Sequence, residues 1–162
     1  DIAYSSVGNV TYRFGGKAQN QQSFPVDTYQ CEKGPCKDYC PEGQICLDCS
    51  GFANFVRTCA GLPPAGESYG TAGIFDSHAE AIETWSANGN TVTINGRELE
   101  PGDMVGRPKN HVIIYIGNGK FADSHGGSGG RKAGNAIGIF DAKYPLETLW
   151  EGKTRYVRWR NP

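Results

Sequence analysis

The segment from Cys49 to Cys59 restricts the fold more than any other, because it carries the clearest helical pattern in the chain. Its apolar residues recur at i, i+3, i+4 and i+7 and form one stripe: Phe52, Phe55, Val56 and Cys59. Gly61 and the Pro63-Pro64 pair predict that the helix ends just after this stripe. A helix with one apolar stripe buries it against another layer, which the rest of the chain must supply.

Strand patterns that follow the helix supply this layer. The stretch from His111 to Ile116 is almost entirely apolar and β-branched, which indicates a central strand. A turn at 117–120 leads to its expected hairpin partner, Phe121 to Ser124, and Asn95-Gly96 predicts another hairpin. Shorter strands are expected at 10–14, 104–105, 136–140 and 155–159. A helix followed by an antiparallel meander predicts an α+β fold.

A second, weaker helix is expected between Ser77 and Ala87. Ser77 is a suitable N-cap, and Glu80 stands three residues later, as in a capping box. Asn88-Gly89 would end this helix.

Charge and length exclude several classes of partner. The chain has 16 Lys and Arg against 17 Asp and Glu, a formal net charge of −1. It therefore offers no basic surface for nucleic acid or for an anionic membrane. No stretch approaches the roughly 20 apolar residues of a membrane-spanning helix. The 162 residues predict a single domain, 1–162, which we expect to be monomeric and to need no cofactor.

The cysteines are unevenly distributed. Five of the six fall within nineteen positions, and four lie in a polar segment, at Cys31, Cys36, Cys40 and Cys46. We interpret residues 17–47 as an irregular insertion held by two disulfides, whose pairing the sequence leaves open among three possibilities. Zinc is the rival interpretation, but these spacings lack paired C-x2-C knuckles, so no metal is expected. Such cysteine density favours an oxidising compartment, and hence a secreted, periplasmic or cell-wall-associated protein.

Cys49 is the candidate nucleophile, because it stands at the start of the predicted helix. The helix dipole and the N–H groups of the first turn favour an anion there, and so favour the reactive thiolate. The N–H of Cys49 is a candidate donor to an oxyanion. The alternative is a disulfide or a redox pair within Cys46-Leu47-Asp48-Cys49.

His111 is the candidate general base among the three histidines. It opens the most apolar strand, and a strand that enters the core at once holds its first side chain rigidly. Asp123 lies on the expected partner strand and could orient the imidazole of His111. By strand alternation His125 lies on the same face as Asp123, so it is the second candidate for this third position.

Four segments in this order resemble the NlpC/P60 family of cell-wall cysteine peptidases. They are Tyr12-Arg13-Phe14-Gly15-Gly16, Asp48-Cys49-Ser50-Gly51-Phe52, Leu99-Glu100-Pro101-Gly102-Asp103, and the ten residues from His111 to Lys120. The resemblance spans roughly residues 10–140. It implies a papain-like core, in which a helix bearing the nucleophile packs on an antiparallel sheet bearing the base.

The resemblance also implies an activity. It implies a cysteine endopeptidase that hydrolyses peptidoglycan stem peptides, often between D-glutamate and a diamino acid, through Cys49, His111 and Asp123. By matching position, Tyr12 would line the site, and Asp48 and Ser50 would contact the amino terminus of the stem peptide. A thiol–disulfide module, and an amidase or acyltransferase on the same core, are the alternatives.

Overall fold

The computed structural model describes residues 2–12, 16–17, 30–31, 45–62, 74–75, 79–107, 110–126, 134–149 and 156–158. Within these ranges the helical elements are α1 (Ile2–Ser6), α2 (Cys49–Cys59) and a π-helical segment at Pro145–Leu149. The strands are β1 (Val10–Thr11), β2 (Gly16–Lys17), β3 (Gln30–Cys31), β4 (Ile45–Cys46), β5 (Ala79–Ala81), β6 (Trp85–Asn88), β7 (Thr91–Ile94), β8 (Arg97–Glu98), β9 (Met104–Arg107), β10 (His111–Gly117), β11 (Lys120–Ser124), β12 (Ile137–Asp141) and β13 (Tyr156–Arg158).

Six strands form the main sheet, in the order β12-β11-β10-β9-β13-β5. Every neighbouring pair in it is antiparallel. The strand that begins at His111 lies inside the sheet between β9 and β11, as its apolar sequence predicts. A helix over Cys49–Cys59 together with this sheet confirms the predicted α+β class.

Strand β10 is apolar on both faces because the sheet is covered on both sides. Val112 and Ile114 belong to the same buried cluster as Phe52 and Phe55 of α2. The alternate residues of β10 belong to a second buried cluster, to which the three-stranded sheet β6-β7-β8 contributes Val92 and Ile94. Side chains of a strand alternate between its faces, so the period of two places β10 between the helix and the smaller sheet.

The expected helix between Ser77 and Ala87 is wrong. Residues 79–81 and 85–88 form β5 and β6 instead, and residues 77–78 lie outside the described ranges. The Asn95 side chain explains this outcome, because its Oδ1 accepts hydrogen bonds from the N–H groups of Glu83 (2.9 Å) and Thr84 (3.2 Å). Its amide also donates to the carbonyl of Ala81 at 2.8 Å. A residue distant in sequence thus satisfies backbone groups that a helix would have paired internally.

A short parallel pair joins the N-terminal segment to the start of α2. Strand β1 pairs with β4 in the register Thr11 to Cys46, and the N–H of Leu47 donates to the carbonyl of Thr11 at 3.2 Å. Tyr12, the next residue, is partly buried against the cluster that contains Phe52 and Phe55. The pairing therefore brings the Tyr12 segment beside the residues that lead into Cys49.

Most of the cysteine-rich insertion lies outside the described residues. Its described parts are the short strands at 16–17, 30–31 and 45–46. Cys36 and Cys40 lie outside the described residues, and only the backbone of Cys31 is described. The boundaries of the insertion and the single-domain organisation stay predictions.

Two matched Asn-Gly turns allow a test of how the turn between β10 and β11 packs on the turn between β6 and β7. Gly96 and Gly119 both have positive φ, at 79° and 74°, and each follows an Asn that also has positive φ. A Cβ on Gly96 would meet nothing within 4 Å, whereas one on Gly119 would lie 2.1 Å from the carbonyl oxygen of Gly89. We expect Gly96→Ala to cost about 1–2 kcal/mol through backbone strain alone. Gly119→Ala should cost a further ~1–3 kcal/mol, because the loop at Gly89 must move.

Urea unfolding of the two variants followed by circular dichroism measures this difference. Equal losses of unfolding free energy would contradict the close packing of the Gly89 loop on the Gly119 turn.

Candidate active site

Asp48 sets the beginning of α2 and so the position of Cys49. It is the N-cap residue, and its Oδ1 accepts from the N–H of Gly51 at 2.8 Å and from the hydroxyl of Ser50 at 3.3 Å. A capping carboxylate satisfies an N–H that has no partner inside the helix, and it favours helix formation at this residue. Asp48 and Ser50 are both buried. Contact with a stem peptide stays a prediction for both.

Cys49 occupies the first helical position with a free thiol that is 7% exposed. Cys46 is disulfide-bonded, so Cys46 and Cys49 are not bonded to each other. The second free thiol, Cys59, lies on the apolar stripe of α2, and burial raises its pKa to about 11. Cys49 thus lies at the start of α2, whereas Cys59 lies on its packed stripe. The pairing of Cys31, Cys36 and Cys40 stays a prediction.

His111 interacts with both expected partners. Its ring Nε2 is 2.8 Å from Oδ2 of Asp123, and its imidazole also forms a hydrogen bond with the side chain of Cys49. Because Nε2 is engaged by the carboxylate, Nδ1 is the nitrogen available to the sulfur. The structure thus brings Cys49, His111 and Asp123 together, and their catalytic roles stay a prediction.

The strand register explains how His111 and Asp123 meet. Ile114 pairs with Ala122 across β10 and β11. Continuing this ladder places Asp123 opposite Ile113, hence diagonal to His111 and on the same face. Diagonal neighbours on one face are within reach of long side chains.

His125 also belongs to this group. Its Nδ1 is 3.0 Å from Oδ1 of Asp123, the oxygen that His111 does not use. The sequence offered Asp123 and His125 as alternatives for one position. The structure places them in series, with the carboxylate between two imidazoles.

The pKa shifts of His111, Asp123 and His125 follow from this arrangement. Burial alone would lower the pKa of His111, but the hydrogen bonds with Asp123 and Cys49 and the charges of both groups outweigh it and raise the pKa to about 10. Burial alone would raise the pKa of Asp123, but hydrogen bonds from His111 and His125 lower it. The hydrogen bond with Asp123 raises the pKa of His125. Asp123 is therefore an ionised, acceptor-only group, so both imidazoles present an N–H to it.

Two further contacts hold the site together that sequence reasoning missed. The buried Ser124 hydroxyl donates to the carbonyl of Leu47 at 2.9 Å, which ties β11 to the residues preceding Cys49. Gly138 pairs with Asp123 across β11 and β12. A glycine inside a strand often marks a close approach, and this signal could have identified Gly138.

A cavity of about 320 Å³ lies elsewhere on α2. It is lined by the C-terminal half of the helix, by α1 and by the turn at Pro101-Gly102, and by Tyr115 and Ile116. Val56 and Arg57 in this lining stand at least seven residues beyond Cys49, which is about 10 Å along a helix. The cavity is therefore separate from the nucleophile.

The described residues contain no cluster of three or more potential metal ligands. Among the same residues, no helix has the length and apolar character needed to cross a membrane.

The contribution of Asp123 to the pKa of His111 can be measured without a substrate. In Asp123→Asn the pKa of His111 should fall from about 10, because the variant lacks the negative charge. NMR titration of the imidazole Cε1–H resonances measures this. Asp141→Asn is the matched control, since Asp141 lies at the end of β12 on the surface and pairs with Lys120. An unchanged His111 titration in Asp123→Asn would refute the assigned coupling.

The pKa shifts of His111 and Asp123 also determine how the free energy of unfolding depends on pH. The pKa of His111 is higher in the folded state than its ordinary 6.5. Its interactions therefore stabilise the fold fully below pH 6.5 and are lost as the pH rises through about 10. The lowered pKa of Asp123 contributes stability above its ordinary value of 3.8, which is lost as the pH falls through the folded-state value.

Comparison with known proteins places this site in a family. Searches of curated proteins and of solved structures found no match to the chain. The family model of NlpC/P60 matches residues 9–150, which include Cys49, His111, Asp123 and His125. Members of this family are typically hydrolytic cell-wall peptidases. With most of its length matched, and with a helix and antiparallel sheet as that fold requires, the chain belongs to the NlpC/P60 family.

Proposed function

We propose that this protein is a cysteine endopeptidase that cleaves peptidoglycan stem peptides, with a preference for the bond between D-glutamate and a diamino acid. The observation that carries the proposal is the hydrogen-bonded series from the Cys49 thiol through His111 to Asp123. Membership of the NlpC/P60 family supports the wall substrate. The specific bond follows from the sequence resemblance.

The first step is attack on the substrate carbonyl. The thiolate of Cys49 forms a bond to the carbonyl carbon, and the carbonyl oxygen becomes an oxyanion. The N–H of Cys49, at the positive end of the α2 dipole, is suited to donate to this oxyanion. The imidazolium of His111 then gives its proton to the leaving amine as the peptide bond breaks, which leaves a thioester on Cys49.

The second step releases the acid product. His111, now neutral, removes a proton from a water molecule, and the resulting hydroxide attacks the thioester carbonyl. The carbon–sulfur bond breaks and the thiolate forms again beside the imidazolium. Asp123 stays ionised in both steps, because its role is to hold the imidazole and stabilise its charged form.

The redox alternative finds less support in the structure. A thiol–disulfide module would use Cys46 and Cys49 as a pair, but Cys49 is a free thiol while Cys46 is disulfide-bonded. The redox function also leaves the Asp123–His111 contact without a purpose. We further propose that the protein works outside the cytoplasm, where the Cys46 disulfide would persist and the wall is accessible.

The two free thiols of α2 provide a matched test of the nucleophile. Cys49→Ser should abolish release of peptides from purified muropeptides, a loss on the order of 10³-fold or more, because a serine beside a histidine lacks a preformed anion. Cys59→Ser should retain the activity, since that thiol is part of the packed stripe. Mass spectrometry of the products identifies the bond cleaved.

The outcomes of this experiment separate the candidates. Activity that survives Cys49→Ser contradicts the proposal. Products of an amide or acyl-transfer reaction, with no stem peptide bond broken, would support the amidase or acyltransferase alternative. Loss of activity in Cys46→Ser, at a temperature where the variant is still folded, would support the redox function.

The pH dependence of hydrolysis is a further test. Activity should fall at low pH as the thiolate takes up a proton. It should also fall above about pH 10, as His111 loses the proton that the leaving amine requires. In Asp123→Asn the fall on the alkaline side should move to lower pH. A rate that keeps rising beyond pH 11 in the wild-type protein would indicate a thiol that acts without a paired base.

A further inference from the structure

The carboxylate of Asp123 is held on both of its oxygens. Oδ2 is 2.8 Å from Nε2 of His111, and Oδ1 is 3.0 Å from Nδ1 of His125. The Asp123 side chain is 8% exposed, against 32% for His125. A buried carboxylate with one partner could rotate about its side-chain torsions, whereas two donors on opposite oxygens fix its plane.

His125 is itself fixed by the backbone. Its N–H donates to the carbonyl of Ala136 at 3.0 Å, just past the end of β11 and just before β12. It follows Asp123 by two residues, so strand alternation directs both side chains to the same side.

Gly138 provides the space in which this contact forms. It pairs with Asp123 across β11 and β12. A Cβ at Gly138 would lie 2.9 Å from Oδ1 of Asp123 and 3.3 Å from Cε1 of His125. A side chain at this position would therefore displace the carboxylate oxygen or the imidazole that binds it.

We infer that His125 and Gly138 are positioning residues that act on His111 through Asp123. Cys49, His111, Asp123 and His125 then form a series of four side chains. The absence of a side chain at Gly138 leaves room for the contact between Asp123 and His125. His125 does not touch the nucleophile or the reacting atoms in this arrangement. It holds Oδ1 so that Oδ2 remains aligned with His111. The inference rests on the proposed cysteine chemistry, but it does not depend on the identity of the substrate.

Alkylation of Cys49 by iodoacetamide tests the inference without a substrate. The rate is measured at pH 6 on the full chain, and mass spectrometry separates the Cys49 peptide from that of Cys59. His125→Ala should lower the rate about tenfold, because a displaced carboxylate holds less of the thiolate–imidazolium pair. His125→Asn should stay within about twofold of wild type, since its Nδ2 lies where Nδ1 of the histidine lies and still donates.

Non-additivity shows whether His125 acts through Asp123. In an Asp123→Ala background, His125→Ala should cause no further loss, because its target is gone. Gly138→Ala should reproduce the loss of His125→Ala, although alanine in a strand is otherwise at least as favourable as glycine. If Asp123→Ala does not fold, the pair Gly138→Ala and His125→Ala gives the same test, since both act on Oδ1.

Three results would overturn the inference: an unchanged rate in His125→Ala, an Asn variant no better than Ala, or independent losses in the double variant. Thermal unfolding of each variant separates these effects from loss of the fold. If muropeptides are not cleaved while these rate ratios hold, the proposed substrate fails and the positioning role is supported.

Discussion

The other groups of the site depend on the ionised carboxylate of Asp123 and on its hydrogen bonds with two imidazoles. It is buried, and its charge is stable there only because His111 and His125 donate to its two oxygens. The same charge keeps His111 protonated over a wide pH range, which in turn favours a thiolate at Cys49. Removal of this one charge would weaken every other contact in the series.

The site lies where the first residue of α2 approaches the first residue of β10. Cys49 begins α2, and His111 begins β10, so each group is anchored by the first residues of an element that enters the core at once. Asp48 fixes the helix start, and Ser124 fastens the preceding segment to β11 through the carbonyl of Leu47. These two contacts hold the residues next to Cys49 against the helix start and against β11.

Positions without side chains are as important to the arrangement as the polar groups. Gly138 leaves room for the Asp123–His125 contact, and Gly119 allows the Gly89 loop to pack on the turn after β10. Gly106 is similar, because a Cβ there would lie 2.2 Å from the carbonyl oxygen of His111 and 2.8 Å from the Phe75 ring. Close approaches of backbone or ring therefore occur at both ends of β10.

Local patterns are enough to predict the helix at Cys49–Cys59, the buried strand from His111 and the Asn-Gly hairpin, because each is encoded by a local period or turn. The sequence also made His111 and Asp123 candidates for one site, since hairpin order puts their strands side by side. It failed for residues 79–88, where the amide of Asn95 binds the backbone and two strands form instead of a helix. Only the folded structure reveals that the Asp123 carboxylate lies between the two imidazoles and that Gly138 leaves room for this contact. These facts depend on the register between β11 and β12 and on atomic separations near 3 Å, and a local sequence period carries no information about either.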